Sequence, residues 1–339
     1  MKVFITGGAG FIGCNSADYY LSQGHQVTIF DNFSRKGGES NLAWLTKRHG
    51  DSHLEIVRGD IRDYDCVTQA IGGSDAVLHL AGQVAVTLSV QDPRTDFEIN
   101  ALGTFNMLEA VRNHCPEAAF IYASTNKVYG GMEEIRIAEE PTRYTYADFP
   151  AGMPEHYPLD FHSPYGCSKG TGDQYTRDYA RIYGLNTVVL RQSCIYGQRQ
   201  FGVEDQGWVA HFIIATVMGR PLSIYGDGKQ VRDLLHVKDL VRAYDTCIDQ
   251  IGDVRGEVFN VGGGPENSLS IWAEFGPLLE KIHEESVPVT YGEWRPGDQQ
   301  VFVADINRAE QKLGWKPEID PVAGITDLYH WVNSNKDLF

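Results

Sequence analysis

The stretch GGAGFIG at residues 7–13 constrains this chain more than any other. It follows a short apolar strand, Lys2–Thr6, and precedes an amphipathic helix over residues 14–23. Strand, glycine turn and helix in that order form the phosphate-binding end of a βαβ unit. The glycines permit a tight turn and a close backbone approach, and the helix N-terminus favours a pyrophosphate. Two spacings fit: Gly8, Gly10 and Gly13 read as G-x-G-x-x-G, and Gly7, Gly10 and Gly13 as the wider G-x-x-G-x-x-G.

The next strand, residues 26–30, ends at Asp31. A carboxylate there accepts hydrogen bonds from ribose hydroxyls and repels a 2'-phosphate, which favours NAD over NADP. Arg35 and Lys36 could attract a 2'-phosphate and read equally as solvated loop cations. Leu54–Arg58 is followed by Gly59, Asp60 and Ile61, with the acid placed to read an adenine amino group. Residues 76–80 are followed by Ala81, Gly82 and Gln83, small residues suited to a place beside a cofactor. Strands alternating with helices and ending at such residues predict an α/β fold, a Rossmann doubly wound parallel sheet. A helix over residues 96–114 carries Ile99, Leu102, Phe105, Leu108 and Val111 at helical spacing, as core or subunit-interface positions.

At 339 residues the chain suits two domains, and its 42% hydrophobic and 22% charged composition is that of a soluble globular protein. A formal net charge of -16 argues against nucleic-acid and acidic-membrane partners, which need clustered Lys and Arg. The six cysteines have no Cys-x-x-Cys spacing and read as reduced thiols in a cytoplasmic protein, with no metal site expected. A strand begins at the N-terminus, leaving no room for a signal peptide, and no apolar run approaches the length of a membrane span.

Chemistry enters with two further stretches. A strand at residues 119–123 delivers Ser124, Thr125, Asn126 and Lys127 to the ligand end of the sheet. Tyr165 and Lys169 then stand four residues apart in SPYGCSKG, on one face of a helix. A neighbouring cation favours a phenolate, so Lys169 is expected to lower the Tyr165 pKa toward a value useful for acid/base work.

The order TGGAGFIG, DN, LAGQ, STNKVYG and YGCSK resembles the extended short-chain dehydrogenase/reductase family, which includes nucleotide-sugar epimerases and dehydratases. The resemblance implies Thr125, Tyr165 and Lys169 as the catalytic group, with tightly bound NAD regenerated in each turnover. It implies cofactor contacts from Gly7, Gly10, Phe11, Ile12 and Gly13 in the glycine loop. Asp31, Asn32, Ser34 and Arg35 would follow at the second strand, then Asp60 and Ile61, and then Leu80, Ala81 and Gln83. Asn100, Tyr165 and Lys169 would also reach the cofactor, Asn100 as a helix-bending or water-binding support. The family's 4,6-dehydratases carry an Asp-Glu pair after the Thr, where this chain has Asn126 and Lys127. That departure counts against dehydration.

The wording DNFSRKG, LAGQVAVTLS, LDFHSPYGCSKG and RQFGVEDQGW is similar to a branch of the family that inverts carbon 2 of a CDP-linked deoxyhexose. The implied partner is a nucleotide-diphosphate sugar, CDP-linked, oxidised transiently to a 2-ketone. Substrate contacts are implied for Thr87, Asn126 and Lys127, for Cys194, Arg199 and Gln206, and for Tyr225, Gln230, Arg232 and Arg295. Relatives usually have Asn at the position of Cys194. Arg232 and Arg295 suit a diphosphate because a guanidinium donates two hydrogen bonds to phosphate oxygens. A 4-epimerase, an NAD(P)-dependent reductase and a catalytically silent dinucleotide sensor remain as alternatives.

The expected organisation is a dinucleotide-binding domain over residues 1–190, with return segments about 233–262. A smaller α/β substrate-binding domain takes residues 191–232 and 263–339. Residues 131–161 show little periodicity and suggest a lid or substrate-facing loop. His236 reads as a satisfied buried histidine rather than a base, and residues 233–244 as a strand, loop and helix. The family resemblance suggests a homodimer or homotetramer through the helices containing Leu102 and Tyr165.

Overall fold

The structure is a computed structural model that describes residues 1–295 and 299–339. The chain divides into two compact units. Unit 1 comprises Met1–Val128, Phe161–Arg191 and Val241–Phe259, and unit 2 comprises Tyr129–Asp160, Gln192–Leu240 and Asn260–Phe339.

Unit 1 is built on a sheet whose strands are β1 (Lys2–Thr6), β2 (Gln26–Asp31), β3 (Leu54–Arg58), β4 (Ala76–His79), β5 (Ala119–Thr125), β6 (Thr187–Gln192) and β7 (Val258–Val261). Their order is β7-β6-β5-β4-β1-β2-β3. The pairs β1–β2, β2–β3, β1–β4 and β4–β5 are parallel. Strands β1, β4 and β5 are buried on both faces because helices cover both, as a parallel sheet requires. Phe4, Phe30, Val77, Leu108, Val111 and Phe120 form part of that core. The strand order reverses between β1 and β4, so the loops that follow these strands border the crevice where such sheets bind ligands.

The helix expected over residues 96–114 is in fact two segments, Pro93–Phe97 and Gly103–His114, joined by a π-helical turn, Glu98–Leu102. Leu108 and Val111 enter the core, whereas Leu102 and Phe105 are each 40% exposed. The expected strand boundary at residue 30 and helix start at residue 14 shift to Asp31 and Phe11. Among the described residues, no helix is long and apolar enough to cross a membrane.

In unit 2, Val231–His236 pairs in parallel with Cys194–Tyr196 and Val301–Phe302 and antiparallel with Ser268–Ser270. Leu222–Tyr225 pairs in parallel with Val289–Gly292. The helices Trp208–Val217, Phe275–His283 and Pro321–Ser334 close a core around Phe212, Ile214, Leu234, Trp272 and Leu328. Val231–His236 runs directly into the helix Val237–Asp249, where sequence reasoning placed a loop between them.

Residues 131–161 are tied into unit 2 rather than forming a free lid. They hold a hairpin of Ile137–Glu139 and Tyr144–Tyr146. Arg143 bonds Glu274 and Ser268, Tyr144 donates to Asp227, and Tyr146 donates to the Val301 carbonyl at 2.9 Å. Glu155 accepts the Asn260 N–H at 2.8 Å. Three-residue strands and long-range polar clamps leave no periodic pattern to read.

A fully buried ion pair ties the helix Ser163–Tyr183 of unit 1 to the sheet. Arg191 on β6 meets Asp173 at 2.9 Å, with side-chain exposures of 2% and 0%. Ser124 donates to the same carboxylate at 2.8 Å. Removing one partner strands the other charge in the core, so Asp173→Ala should destabilise the chain by about 3–5 kcal/mol. Urea titration followed by tryptophan fluorescence checks this; a loss under about 1 kcal/mol would show the pair to be dispensable.

Candidate active site

The glycine loop is shaped by contacts that no side chain fits. A Cβ on Gly13 would lie 2.2 Å from the Gly7 carbonyl oxygen and 2.6 Å from the Gly8 Cα. Gly7 has φ +67°, and a Cβ there would lie 2.9 Å from the Ala81 nitrogen. Gly8 is as crowded, at 2.9 Å from the Ile29 side chain, but Gly7 meets backbone and has the left-handed φ, which favours the wider G-x-x-G-x-x-G spacing, with the Gly10 N–H donated to Gly7 at 3.0 Å. Helix Phe11–Ser22 starts at Gly10 with no side-chain cap and no acid in its first turn. Its first N–H groups and dipole therefore favour an anion, and Phe11 and Ile12 lie half-buried at that end.

Asp31 at the end of β2 accepts the Ala9 N–H at 3.0 Å and the Phe33 N–H at 2.8 Å. Burial lifts its carboxyl above the ordinary range while these two bonds hold it down. Each oxygen keeps a lone pair able to accept a ribose hydroxyl. Asn32 donates to Asp60 at 3.0 Å and accepts from the Ser34 N–H at 3.1 Å. Asp60 is itself gripped by Arg62 through bonds of 2.9 and 2.7 Å, which lower its pKa to about 2. Its carboxylate is therefore ionised and already engaged. Ile61 packs against Gly103, where a Cβ would lie 2.6 Å from it. Arg35 is exposed, and its charge bears on both Asp31 and Tyr165.

At the end of β4, Thr6 Oγ1 accepts the N–H groups of Leu80 and Ala81, each at 3.1 Å. Asn100 in the π turn clasps Gln83, accepting its N–H and donating to its carbonyl at 2.9 Å each. The same amide donates to Ser168 at 3.1 Å, which ties the turn to the helix Ser163–Tyr183. Thr87 lies exposed on the short helix Val86–Gln91.

Tyr165, Lys169 and Thr125 are brought together in unit 1 and are 8%, 5% and 6% exposed. Thr125 hydrogen-bonds the Tyr165 phenol and accepts the Lys127 N–H at 3.2 Å. Asn126 and Lys127 begin a 3₁₀ turn, and the Asn126 Oδ1 accepts from Thr125 at 3.3 Å. The Lys169 ammonium lies 4.4 Å from the centroid of the Tyr122 ring.

The expected lowering of the phenol pKa by Lys169 is not what these surroundings produce. Burial pushes Tyr165 above its ordinary value, and the Asp96 carboxylate adds to that. The Thr125 hydrogen bond and then the Arg35 charge pull it down. Burial also lowers Lys169 to about 7, against the opposing charges of Asp173 and Asp96. Desolvation disfavours both charged forms, and sequence spacing carries no information about it.

In unit 2, Arg295 lies 4.1 Å over the Tyr225 ring and pairs with Glu204 at 3.1 Å and Asp205 at 3.4 Å. Gln230 is fully buried and donates to the Tyr225 carbonyl at 2.6 Å. Cys194 accepts from the Trp208 indole at 2.9 Å, so its sulfur is a packed acceptor. Gln206 pairs with Val203 through backbone bonds of 2.9 and 3.0 Å. Arg199 lies 5.4 Å over Trp331, and Arg232 donates to the Val231 carbonyl at 2.8 Å. Pro296, Gly297 and Asp298, in the stretch that carries Arg295, lie outside the described residues. His236 is buried and accepts the Lys238 N–H at 3.3 Å; burial lowers its pKa to about 4.

Residues 4–328 match the sequence profile of the GDP-mannose 4,6 dehydratase family. This chain belongs to that family. It is 48% identical over 341 residues to the CDP-paratose 2-epimerase of Salmonella typhi, covering 98% of this chain and 100% of that one. The solved UDP-glucose 4-epimerase of Thermotoga maritima superposes with a TM-score of 0.85 at 29% identity, covering 99% of this chain and 100% of that one. The dTDP-glucose 4,6-dehydratase of Streptomyces venezuelae, solved with NAD bound, also gives 0.85, at 26% identity, covering 100% of this chain and 99% of that one. The extended short-chain dehydrogenase/reductase resemblance read from the motifs is borne out.

Within this family fold, sequence reasoning missed three supports of the Tyr165 helix. Ser89 accepts the Tyr165 N–H at 3.1 Å, and Asp96 accepts from Gln83 at 2.9 Å and from Asn100 at 3.2 Å. Ser168 lies inside the quoted YGCSK, yet nothing in that string shows that it faces Asn100. Lys169 generates a test. An unfolded lysine keeps its proton to about pH 10, whereas the buried one releases it near 7. Between those values the unfolded state binds more protons, so stability rises with pH through that window. Lys169→Met should flatten the rise and increase stability at and below neutral pH. Denaturation midpoints taken across the window for both proteins check this, and parallel curves would contradict the assignment.

Proposed function

We propose that this family member is an NAD-dependent epimerase of a nucleotide-linked hexose, inverting carbon 2 of CDP-paratose or CDP-tyvelose through a transient 2-keto form. The full-length 48% identity to a CDP-paratose 2-epimerase carries the reading. In it, unit 1 is the cofactor domain and unit 2 the nucleotide-sugar domain of a cytoplasmic enzyme.

The residues present fit NAD. The glycine loop packs too closely for a Cβ at Gly7 or Gly13, which brings the helix start over the strand end; the uncapped helix Phe11–Ser22 suits its pyrophosphate, and Asp31 suits its ribose. Bound NAD supplies reversible hydride acceptance, so oxidation and re-reduction balance within one turnover and no cofactor is consumed. Tyr165, in the phenolate form that the Thr125 hydrogen bond and the Arg35 charge favour against burial, takes the 2-hydroxyl proton as carbon 2 becomes a carbonyl and returns it after the ketone has turned its other face. Thr125 holds the reacting oxygen through the hydroxyl that already bonds Tyr165. Lys169, one helical turn on, places its amine beside the proton transfer. Arg232 and Arg295 take the diphosphate, which requires Arg295 to leave Glu204 and Asp205.

Leu102, Phe105, Tyr175, Ile182 and Tyr183 are each at least 40% exposed on the helix pair that includes Ser163–Tyr183. They support the expected homodimer or homotetramer, since a surface of this kind marks an interaction site. Light scattering of the purified chain reads the subunit count.

A 4-epimerase or an NAD(P)-dependent reductase is the competing reading, and Asn126 and Lys127 in place of the dehydratase pair leave both open. Incubation with CDP-, GDP-, UDP- and dTDP-sugars, with product stereochemistry resolved by NMR, separates them. Inversion at carbon 2 of the CDP-sugar without added cofactor is expected, and stoichiometric NADH consumption would refute it. Tyr165→Phe should lower kcat by about 10²–10⁴ while leaving NAD binding within a few-fold. An unchanged kcat would remove Tyr165 from the chemistry.

A further inference from the structure

One face of the unit 1 sheet carries a row of side chains that the proposed chemistry does not use. Thr6, His79 and Tyr122 occupy paired positions on β1, β4 and β5 and so lie side by side. His79 is 1% exposed. Its Nδ1 lies 2.8 Å from Thr6 Oγ1, and its Nε2 lies 3.0 Å from Thr104 Oγ1.

Two separate hydrogen-bond inventories fix its tautomer. Thr6 Oγ1 already accepts the N–H groups of Leu80 and Ala81, which occupies both lone pairs. Its own hydrogen must therefore go to Nδ1 of His79. At the other end, the Asn100 carbonyl can only accept, so the Thr104 hydroxyl donates to it at 2.6 Å. Thr104 must then accept from Nε2 of His79. Both ends require a bare Nδ1, a protonated Nε2 and a neutral ring.

The same ring stacks on Tyr122, with centroids 5.7 Å apart and planes at 29°. Tyr122 donates its hydroxyl to the Lys169 carbonyl at 3.2 Å and lies under the Lys169 ammonium. A second proton on His79 would cost the Thr6 bond and place a cation near Lys169. Burial first, and then the Lys169 charge, hold the imidazole down to about 3.

We propose that His79 is a positioning residue: its neutral, Nε2-protonated ring joins the strand end that opens the glycine loop to the π turn of Asn100 and to the aromatic shelf under Lys169. It thereby sets where the cofactor cradle and the ammonium stand relative to one another. Thr6 is the residue before Gly7, and Asn100 clasps Gln83 and Ser168, so a single ring bears on both sides of the crevice. The functional consequence rests on unit 1 binding NAD, whereas the tautomer is a property of the chain alone.

The test begins with long-range proton–nitrogen NMR of the ¹⁵N-labelled full chain at neutral pH. His79 should give the pattern of a neutral, Nε2-protonated ring, and an Nδ1-protonated or imidazolium pattern overturns the proposal. His79→Phe keeps the stack and loses both hydrogen bonds. It should weaken NAD binding by about 10-fold and lower kcat by a similar factor, with KM for the CDP-sugar within about twofold. His79→Gln retains a donor able to reach Thr104 and should recover part of both losses. NAD binding and kcat equal to those of the unaltered chain in His79→Phe overturn the proposal, as does a Gln variant no better than Phe. Should the Phe variant not fold, the Gln variant and the native spectrum still decide. An unaltered chain that binds no NAD would refute the cofactor reading, and the tautomer pattern then tests His79 by itself.

Discussion

The close approach of the first helix to the first strand is the constraint on which unit 1 depends. The Gly7 carbonyl lies where a Cβ on Gly13 would be, so the helix can begin directly over the strand end. That contact aims the helix N-terminus at the crevice between β1 and β4. Asp31 then staples the same loop through Ala9, and Thr6 carries the geometry across to Leu80 and Ala81. The glycine loop and the Tyr165 helix thus share one polar scaffold.

Desolvation does the electrostatic work around Tyr165. Burial raises the phenol and lowers the ammonium, so both groups are drawn toward neutrality. Asp96 and Asp173 oppose this for Lys169 while Thr125 and Arg35 oppose it for Tyr165. Such groups cost stability, as functional sites commonly do, and the surrounding Asn100, Ser168 and Ser89 bonds hold them in place. The π turn belongs to the same design. It sits between two ordinary helical segments and presents Asn100 inward, where a regular helix would place its amide elsewhere.

Much of this was legible in the residues. Alternation of apolar strands and helices announced the doubly wound sheet, because parallel strands are buried on both faces and read as continuous apolar runs. Tyr165, Lys169 and Thr125 were legible as a set because family motifs preserve order as well as spacing. The π turn was legible only as the helix bend that the family resemblance implied at Asn100, since helical periodicity continues on either side of it and one added residue leaves no mark. The hairpin within residues 131–161 was not legible, because its stability comes from partners such as Glu274, Asp227 and Val301, far along the chain.

The sequence by itself determined the sheet, the glycine loop, the place of the Tyr165 helix and the family, because each is encoded by local residue types at fixed spacing. Only the tertiary structure decided which glycine spacing applies, which charges set Tyr165 and Lys169, and how His79 is protonated. Those depend on burial and on hydrogen-bond partners brought together from distant parts of the chain. Local spacing cannot report the dielectric around a phenol, nor count the donors that surround a threonine hydroxyl.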